Sequence, residues 1–204
     1  MTTLRQIAGQ RICLTFDDGP HPDYTPSVLD LLGSYGCRAT FFLLGDSALR
    51  YPHLVQRISR EGHSLGNHTF SHPRLQYRQG EQGTAQILRC QQVLEQLAGQ
   101  RPRWFRPPYG RLTPGLAQAA TQLGLTTVLW SRSAIDWGPL GTQRGIARRL
   151  RRATAGDILL LHDAPRRHNH PQYMLTALPN LLARLEHDGI AAIGLDEYAP
   201  LASV

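Results

Sequence analysis

The chain has 204 residues, of which 41% are hydrophobic and 18% charged, with 19 Gly and 14 Pro, a balance that fits one folded domain and excludes disorder, a collagen-like repeat or a coiled coil. No apolar run approaches the roughly 18 residues of a membrane span, and Met1–Gln10 has no apolar leader core, so the chain as written reads as cytoplasmic, or as exported if a leader has been removed. The net charge of +7 rests on 22 basic residues that are all Arg, and the lack of Lys excludes Schiff-base and P-loop chemistry, which both need one.

In chain order, Ile12–Phe16 is the first apolar run, with Cys13 inside it, and Asp17-Asp18-Gly19-Pro20 follows directly. Thr25 and Pro26 read as N-cap and first position of a helix that Gly36 stops. Strands are expected at 39–44, 64–66, 104–105, 126–130, 158–161 and 190–193. Ile87, Cys90, Leu94 and Leu97 recur at one helix face, as do Leu175, Leu178, Leu182 and Leu185, and Thr113-Pro114 begins a helix that contains Leu116, Ala120 and Leu123. Cys13, Cys37 and Cys90 show no CxxC spacing, so neither a disulfide framework nor a thiolate zinc site is expected; Cys13 and Cys37 read as buried small hydrophobes.

About seven strands alternating with about six helices imply a parallel sheet covered by helices. Both an open doubly wound sheet and a closed barrel fit this pattern. The chain, 1–204, has no linker, repeat or low-complexity segment and reads as a single domain.

The polar residues stand out by position. Asp17-Asp18, Asn67-His68, Arg106-Pro107-Pro108-Tyr109-Gly110, Asp136-Trp137 and His162-Asp163 follow separate strands, and in parallel α/β folds the carboxyl ends of strands open on one face where ligands bind. His68 and His72, four apart, can share a metal if they lie on one helical turn. Asp17 and Asp18 would repel each other unless one meets a cation, and strand alternation is expected to turn them to different tasks. Two His and one Asp leave open positions on a metal, which is the pattern of a catalytic site. The same ligand set serves non-haem iron oxygenases, whose evenly spaced short strands are not seen here.

Thr15-Phe16-Asp17-Asp18-Gly19, His68-Thr69-Phe70-Ser71-His72, Arg106-Pro107-Pro108-Tyr109-Gly110, Asp136-Trp137 and Leu160-Leu161-His162 resemble, in order, the five motifs of NodB-like polysaccharide deacetylases, which are metal-dependent carbohydrate esterases. The resemblance covers about 11–197. It implies a distorted (β/α) barrel of seven or eight parallel strands. It implies that Asp18, His68 and His72 hold one divalent ion, zinc ahead of cobalt, nickel or manganese. It further implies Asp17 as general base, His162 as general acid, Arg106 as the partner of Asp17, and Asp136 as the group orienting His162 or Arg106. The Tyr109 backbone N–H would help form the oxyanion hole, and Trp137 and Leu160 would line the acetyl pocket. Ser133 departs from the fourth motif, which commonly has an acid there.

The resemblance implies removal of N-acetyl groups from N-acetylglucosamine in chitin oligomers, peptidoglycan or a lipid-linked glycan. The alternatives are O-acetyl esterase action on xylan and a non-catalytic carbohydrate-binding relative; a phosphoesterase would want a second metal. A glycan is the expected partner, with no nucleic acid and a monomeric state. Arg144, Arg148 and Arg152 share a helix face, with Arg149 and Arg151 beside it, and read as the solvated outside of a barrel helix. His168 and His170 fall in a loop expected to lie over the catalytic mouth.

Overall fold

A computed structural model describes residues 3–73, 80–166 and 168–198. Its strands are β1 (Thr3–Leu4), β2 (Arg11–Asp17), β3 (Thr40–Leu43), β4 (Ser64–Asn67), β5 (Trp104–Phe105), β6 (Thr126–Val128), β7 (Arg132–Ser133), β8 (Ile158–His162) and β9 (Ala191–Ala192). Its helices are α1 (Thr25–Ser34), α2 (Gly45–Arg50), α3 (Pro52–Arg60), α4 (Gly80–Ala98), α5 (Pro114–Gln122), α6 (Gln143–Leu150), α7 (Pro171–His187) and α8 (Leu195–Tyr198). All named strand pairs are parallel, in the order β1-β6-β5-β4-β3-β2-β8-β7, with β9 beside β2. The sheet curls into a half-barrel with helices around it. β1 and β7 lie at opposite ends of this order, so the ladder stays open among the described residues; this is the distortion of the expected barrel.

The alternation of β2 explains how the fold places chemistry. Ile12, Leu14 and Phe16 join the large cluster that packs the sheet against α1, α6 and α7. Cys13, on the other face, joins Phe42, Trp104, Val128 and Ile158. With a side-chain period of two, Thr15 and Asp17 share the Cys13 face. That face therefore changes from thiol to hydroxyl to carboxylate as the strand approaches its C-terminal end. Each fully buried Leu or Phe on the helix side contributes about 1.5–3 kcal/mol, which offsets the cost of the buried polar groups on the other. α8 closes the opposite end: Leu195 N–H bonds Thr40 Oγ1 at 3.0 Å, and Asp196 accepts from the Trp104 indole at 2.9 Å.

Several expectations change. The strands Thr3–Leu4 and Arg132–Ser133 were too short to show a pattern, and α2 and α3 fill the stretch between two expected strands, for which no helix bounds were read. The N-cap of α1 is Tyr24, with Thr25 as the first helical residue; the Thr25 hydroxyl instead serves a buried network described below. Gly36, at φ 61°, does end that helix region, and Thr113 does cap α5, accepting from the Leu116 N–H. Cys37 is half-buried, whereas Cys13 and Cys90 are buried and burial pushes both thiols up to about 12. No helix among the described residues is long and apolar enough to cross a membrane.

Candidate active site

The parallel register aligns the strand ends. Asp17, the last residue of β2, pairs directly with His162, the last residue of β8, and Asn67 at the end of β4 pairs with Phe105. Asp17, Asp18, His68, His72, Trp137 and His162 all line one cavity of about 610 Å³.

Arg106 is fully buried at the centre. Its Nη1 donates to Asp17 Oδ1 and to Thr15 Oγ1, both at 2.7 Å. Its Nε and Nη2 reach the Val128 and Leu129 carbonyls at 3.3 and 3.2 Å. The guanidinium lies 4.1 Å from the centroid of Phe42. Burial pulls the pKa of Arg106 down, and the charge and hydrogen bond of Asp17 oppose that pull. One oxygen of Asp17 is thus committed; the other, Oδ2, lies 3.7 Å from His68 Nε2.

Asp18 faces the same cavity for a different reason from the expected strand alternation. It lies beyond β2 at φ 77°, and this left-handed residue turns the chain so that both acids reach the site. Asp18 Oδ1 lies 3.8 Å from His68 Nε2 and 3.5 Å from His72 Nε2. It is buried with no hydrogen-bond partner. Burial raises its pKa, but His162, His72, His68 and Arg166 outweigh that and hold it below the usual value.

His68 and His72 do not lie on a helical turn. They occupy a loop after β4, with Thr69 at φ 72° and His72 at φ 53°. Asn67 builds this loop: its Oδ1 accepts the Thr69 N–H at 2.9 Å, while its Nδ2 donates to the Ile87 carbonyl and to Gln91 on α4. His68 donates Nδ1–H to the Arg106 carbonyl at 2.7 Å. A carbonyl can only accept, so in the neutral ring the proton sits on Nδ1 and leaves the Nε2 lone pair for a metal. Ligand atoms of Asp18, His68 and His72 lie within 4.8 Å of one another. Two imidazoles and a buried carboxylate oxygen without a partner fit a divalent cation. This is the one such group of three among the described residues, so the second metal of a phosphoesterase site has no counterpart among them.

Across the cavity, His162 shares Asp136. Asp136 Oδ1 lies 2.8 Å from His162 Nδ1, and its Oδ2 accepts the His162 backbone N–H at 2.8 Å. Of the two residues that Asp136 was expected to orient, it bonds His162. Burial disfavours the charged ring, but Asp136, with Asp18 and Asp17, outweighs it and pushes the His162 pKa up to about 9. Trp137 packs edge-on against His162, with centroids 5.3 Å apart, and Leu160 lines the floor nearby. Ser133, where the fourth motif departs, accepts the Ile135 N–H at 2.9 Å and bends the chain ahead of Asp136.

Tyr109 lies in a single 3-10 turn at φ 59°. The residue is 58% exposed, and its ring stands at the lip over His72. Gly110 follows at φ 64°, and a Cβ there would come within 2.5 Å of Trp130. Glycine therefore lets the turn press against the cavity wall.

Four residues contribute in ways the sequence did not assign: Asn169, Asp163, Thr25 and Thr15. Asn169 donates to Asp18 Oδ2 at 2.8 Å. Asp163 is buried behind the Asp18 turn; Thr25 Oγ1 donates to it at 2.6 Å, and a Cβ on Gly19 would meet its carboxylate at 2.5 Å. Thr15 completes the set through Arg106. Asn169 lay in the loop singled out for its histidines, but its own signal was hidden by His168 and His170. Of these, His168 lines the cavity, and His170 is held at the Gly138 carbonyl. In the arginine group, Arg144, Arg148, Arg151 and Arg152 are exposed as expected, while Arg149 braces the loop before α6 through the Ala134 and Leu140 carbonyls.

Comparison with known proteins follows the same outline. The polysaccharide deacetylase family profile matches residues 5–128. A peptidoglycan-N-acetylglucosamine deacetylase of Bacillus cereus is 36% identical over 184 residues, covering 90% of this chain and 66% of that protein. The chain thus spans just under two thirds of that relative. A chitooligosaccharide deacetylase of Azorhizobium caulinodans is 41% identical over 153 residues, covering 74% of this chain and 73% of the relative. The crystal structure of a peptidoglycan N-acetylglucosamine deacetylase in complex with an N-hydroxybenzamide compound superimposes with a TM-score of 0.87 at 34% identity, covering 96% of this chain and 92% of that one. With the profile matching more than half of its length and the half-barrel shared with a solved deacetylase, the chain belongs to the polysaccharide deacetylase family.

Proposed function

We propose that this chain is a single-domain, metal-dependent deacetylase that hydrolyses N-acetyl groups on N-acetylglucosamine-containing glycans and releases acetate. The observation that carries the reading is Asp18 Oδ1, buried without a hydrogen-bond partner between the Nε2 atoms of His68 and His72. Asp18, His68 and His72 would hold the ion, with zinc favoured by the mixed nitrogen and oxygen ligands. A divalent cation there would polarise the acetyl carbonyl and lower the pKa of an adjacent water to about 7.

The chain's own residues supply the remaining chemistry. Asp17 Oδ2 takes the proton of the attacking water, while Arg106 fixes Oδ1 and keeps the carboxylate oriented. The Tyr109 backbone N–H donates to the carbonyl oxygen as negative charge develops there. His162, kept protonated by Asp136, delivers a proton to the leaving nitrogen. Trp137 and Leu160 enclose the acetyl methyl. The same residues suit an O-acetyl ester, which makes a smaller demand on His162. A non-catalytic role would require a missing base, acid or ligand, and each expected position holds a competent residue.

The test measures acetate released from N-acetylated chitooligosaccharides and from peptidoglycan, before and after chelation and after zinc is restored. Activity should vanish on chelation and return with zinc, and His68→Ala should lose both bound metal and turnover. Undiminished acetate release by metal-free protein would overturn the reading.

A further inference from the structure

Arg166 is a charged part of the cavity wall that the proposed reaction leaves unused. It lies on the loop between β8 and α7 and lines the cavity beside Asp18, His168 and Asn169. Arg106 and Arg149 differ from it in being engaged: Arg106 pairs with Asp17, and Arg149 holds two carbonyls. Arg166 makes no ion pair and no side-chain hydrogen bond among the described residues.

Its loop is braced. Asn169 N–H bonds the Arg166 carbonyl at 2.8 Å, Gly138 N–H bonds the His168 carbonyl at 2.7 Å, and His170 N–H bonds the Asp136 carbonyl at 2.7 Å. Trp137 and Asn169 form a bridge between the two loops. The guanidinium is therefore carried by a fixed backbone that is tied to the acetyl-pocket wall.

A neutral N-acetylglucosamine gives this cation nothing to pair with. Of the two acids lining the cavity, Asp17 is paired with Arg106, and Asp18, whose charge Arg166 feels only through space, is held by Asn169 and the two histidines. A positive charge at this place also works against a divalent ion at Asp18 by simple repulsion. Its position becomes favourable when the bound glycan brings an anion of its own.

We propose that Arg166 forms a subsite for a carboxylate on the glycan, next to the sugar whose acetyl group is removed, so that the enzyme prefers carboxylate-bearing amino-sugar polymers over neutral ones. This rests on the deacetylase reading above and selects within it. A hydrogen-bonded charge pair in a partly enclosed site contributes about five- to tenfold in kcat/KM, less where solvent and salt screen it.

The experiment uses the zinc-loaded chain and three glycans. The first is a peptide-free tetrasaccharide alternating N-acetylglucosamine with N-acetylmuramic acid, whose lactyl carboxylates are free. The second is its methyl ester, and the third is tetra-N-acetylchitotetraose. The wild type should favour the acid over its ester about five- to tenfold, and raised salt should erode that ratio. Arg166→Gln should bring the acid-to-ester ratio close to one, and Arg166→Glu should push it below one. Thermal unfolding of both variants checks that they are folded. A wild type that cleaves chitotetraose yet treats acid and ester alike overturns this inference alone, as does a preference that survives Arg166→Gln. Release of acetate from none of the three glycans overturns the deacetylase reading itself.

Discussion

Removing Arg106 exposes how much of the site's electrostatics depends on one buried group. Arg106→Met keeps an unbranched side chain between Phe42 and Trp130 but deletes the 2.7 Å contacts to Asp17 and Thr15 and leaves the Val128 and Leu129 carbonyls short of a donor. Asp17 is only 3% exposed, so its carboxylate would be left without its buried counter-charge. Breaking a buried pair from one side costs about 3–5 kcal/mol. For a domain of this length each kcal/mol moves Tm by about 2–4 °C, which gives a fall of about 6–20 °C. The informative variant is the double one. Arg106→Met with Asp17→Asn removes the stranded charge as well, so it should be more stable than Arg106→Met alone, with about 2 kcal/mol of non-additivity. Urea unfolding of the metal-free wild type, both single variants and the double variant, followed by circular dichroism, closes the cycle. Effects that add within about 0.5 kcal/mol would refute the coupling, and Arg106 would then be a space-filling residue whose charge is incidental to Asp17.

His162→Ala should slow hydrolysis of an N-acetyl substrate by about 10²–10⁴-fold and slow an aryl acetate far less, because that leaving group needs little protonation; equal losses would make His162 structural. Asn169→Ala removes the donor to Asp18 Oδ2 and should weaken zinc binding by about 10–100-fold, read by direct metal titration, and unchanged affinity would show that Asp18 needs no such support. Asp163 is raised from 3.8 to about 7 by burial and by the Asp18 charge, against the Thr25 hydrogen bond and His162. The folded state therefore holds that proton more tightly than the unfolded one, and the resulting stability is complete below pH 3.8 and lost as pH climbs through 7. In metal-free protein the Tm of Asp163→Asn relative to wild type should rise steadily from pH 4 to pH 7, and parallel Tm curves would contradict the assignment.

The sequence carried the site further than it carried the elements. Continuous apolar runs marked the long central strands such as β2 and β8, because strands buried on both faces need no alternation. The two-residue strands β1 and β7 went unread, since two residues carry no period, whereas the run at 104–105 is β5 and that at 190–193 contains β9. Motif residues were legible where each directly follows a strand: Asp17, His162 and Arg106 all meet in the cavity or its floor. The spacing of His68 and His72 identified the pair, but its assumed helical geometry was wrong. Any backbone that brings two imidazoles together satisfies the spacing, and Asn67 enforces a non-helical one. Asn169 went unread, and Asp163 was seen at its strand end but given no role, because their work is defined by partners 151 and 138 residues away, and no local pattern encodes a contact at that range.

The backbone itself shows why these motifs are recognisable as motifs. The described non-glycine residues at positive φ are Asp18, Thr69, His72, Tyr109 and Ile135. Each is in, or immediately before, one of the polar segments that close the cavity. For Ile135, a β-branched side chain at φ 48°, the conformation is a genuine outlier, and left-handed backbone costs an L-residue roughly 1–2 kcal/mol. Ordinary turns avoid that cost by using glycine, as this chain does at Gly36, Gly62 and Gly124. At the cavity the side chain is needed at the strained position: Asp18 must supply Oδ1, and His72 its imidazole, while Ile135 turns the chain so that Asp136 can take both the ring and the backbone N–H of His162. The strain persists because the surrounding core is fully packed and over-determines these loops. A rigid half-barrel of apolar strands thus holds five unfavourable residues in place, and the geometry they impose brings acid, base and metal ligands into one cavity.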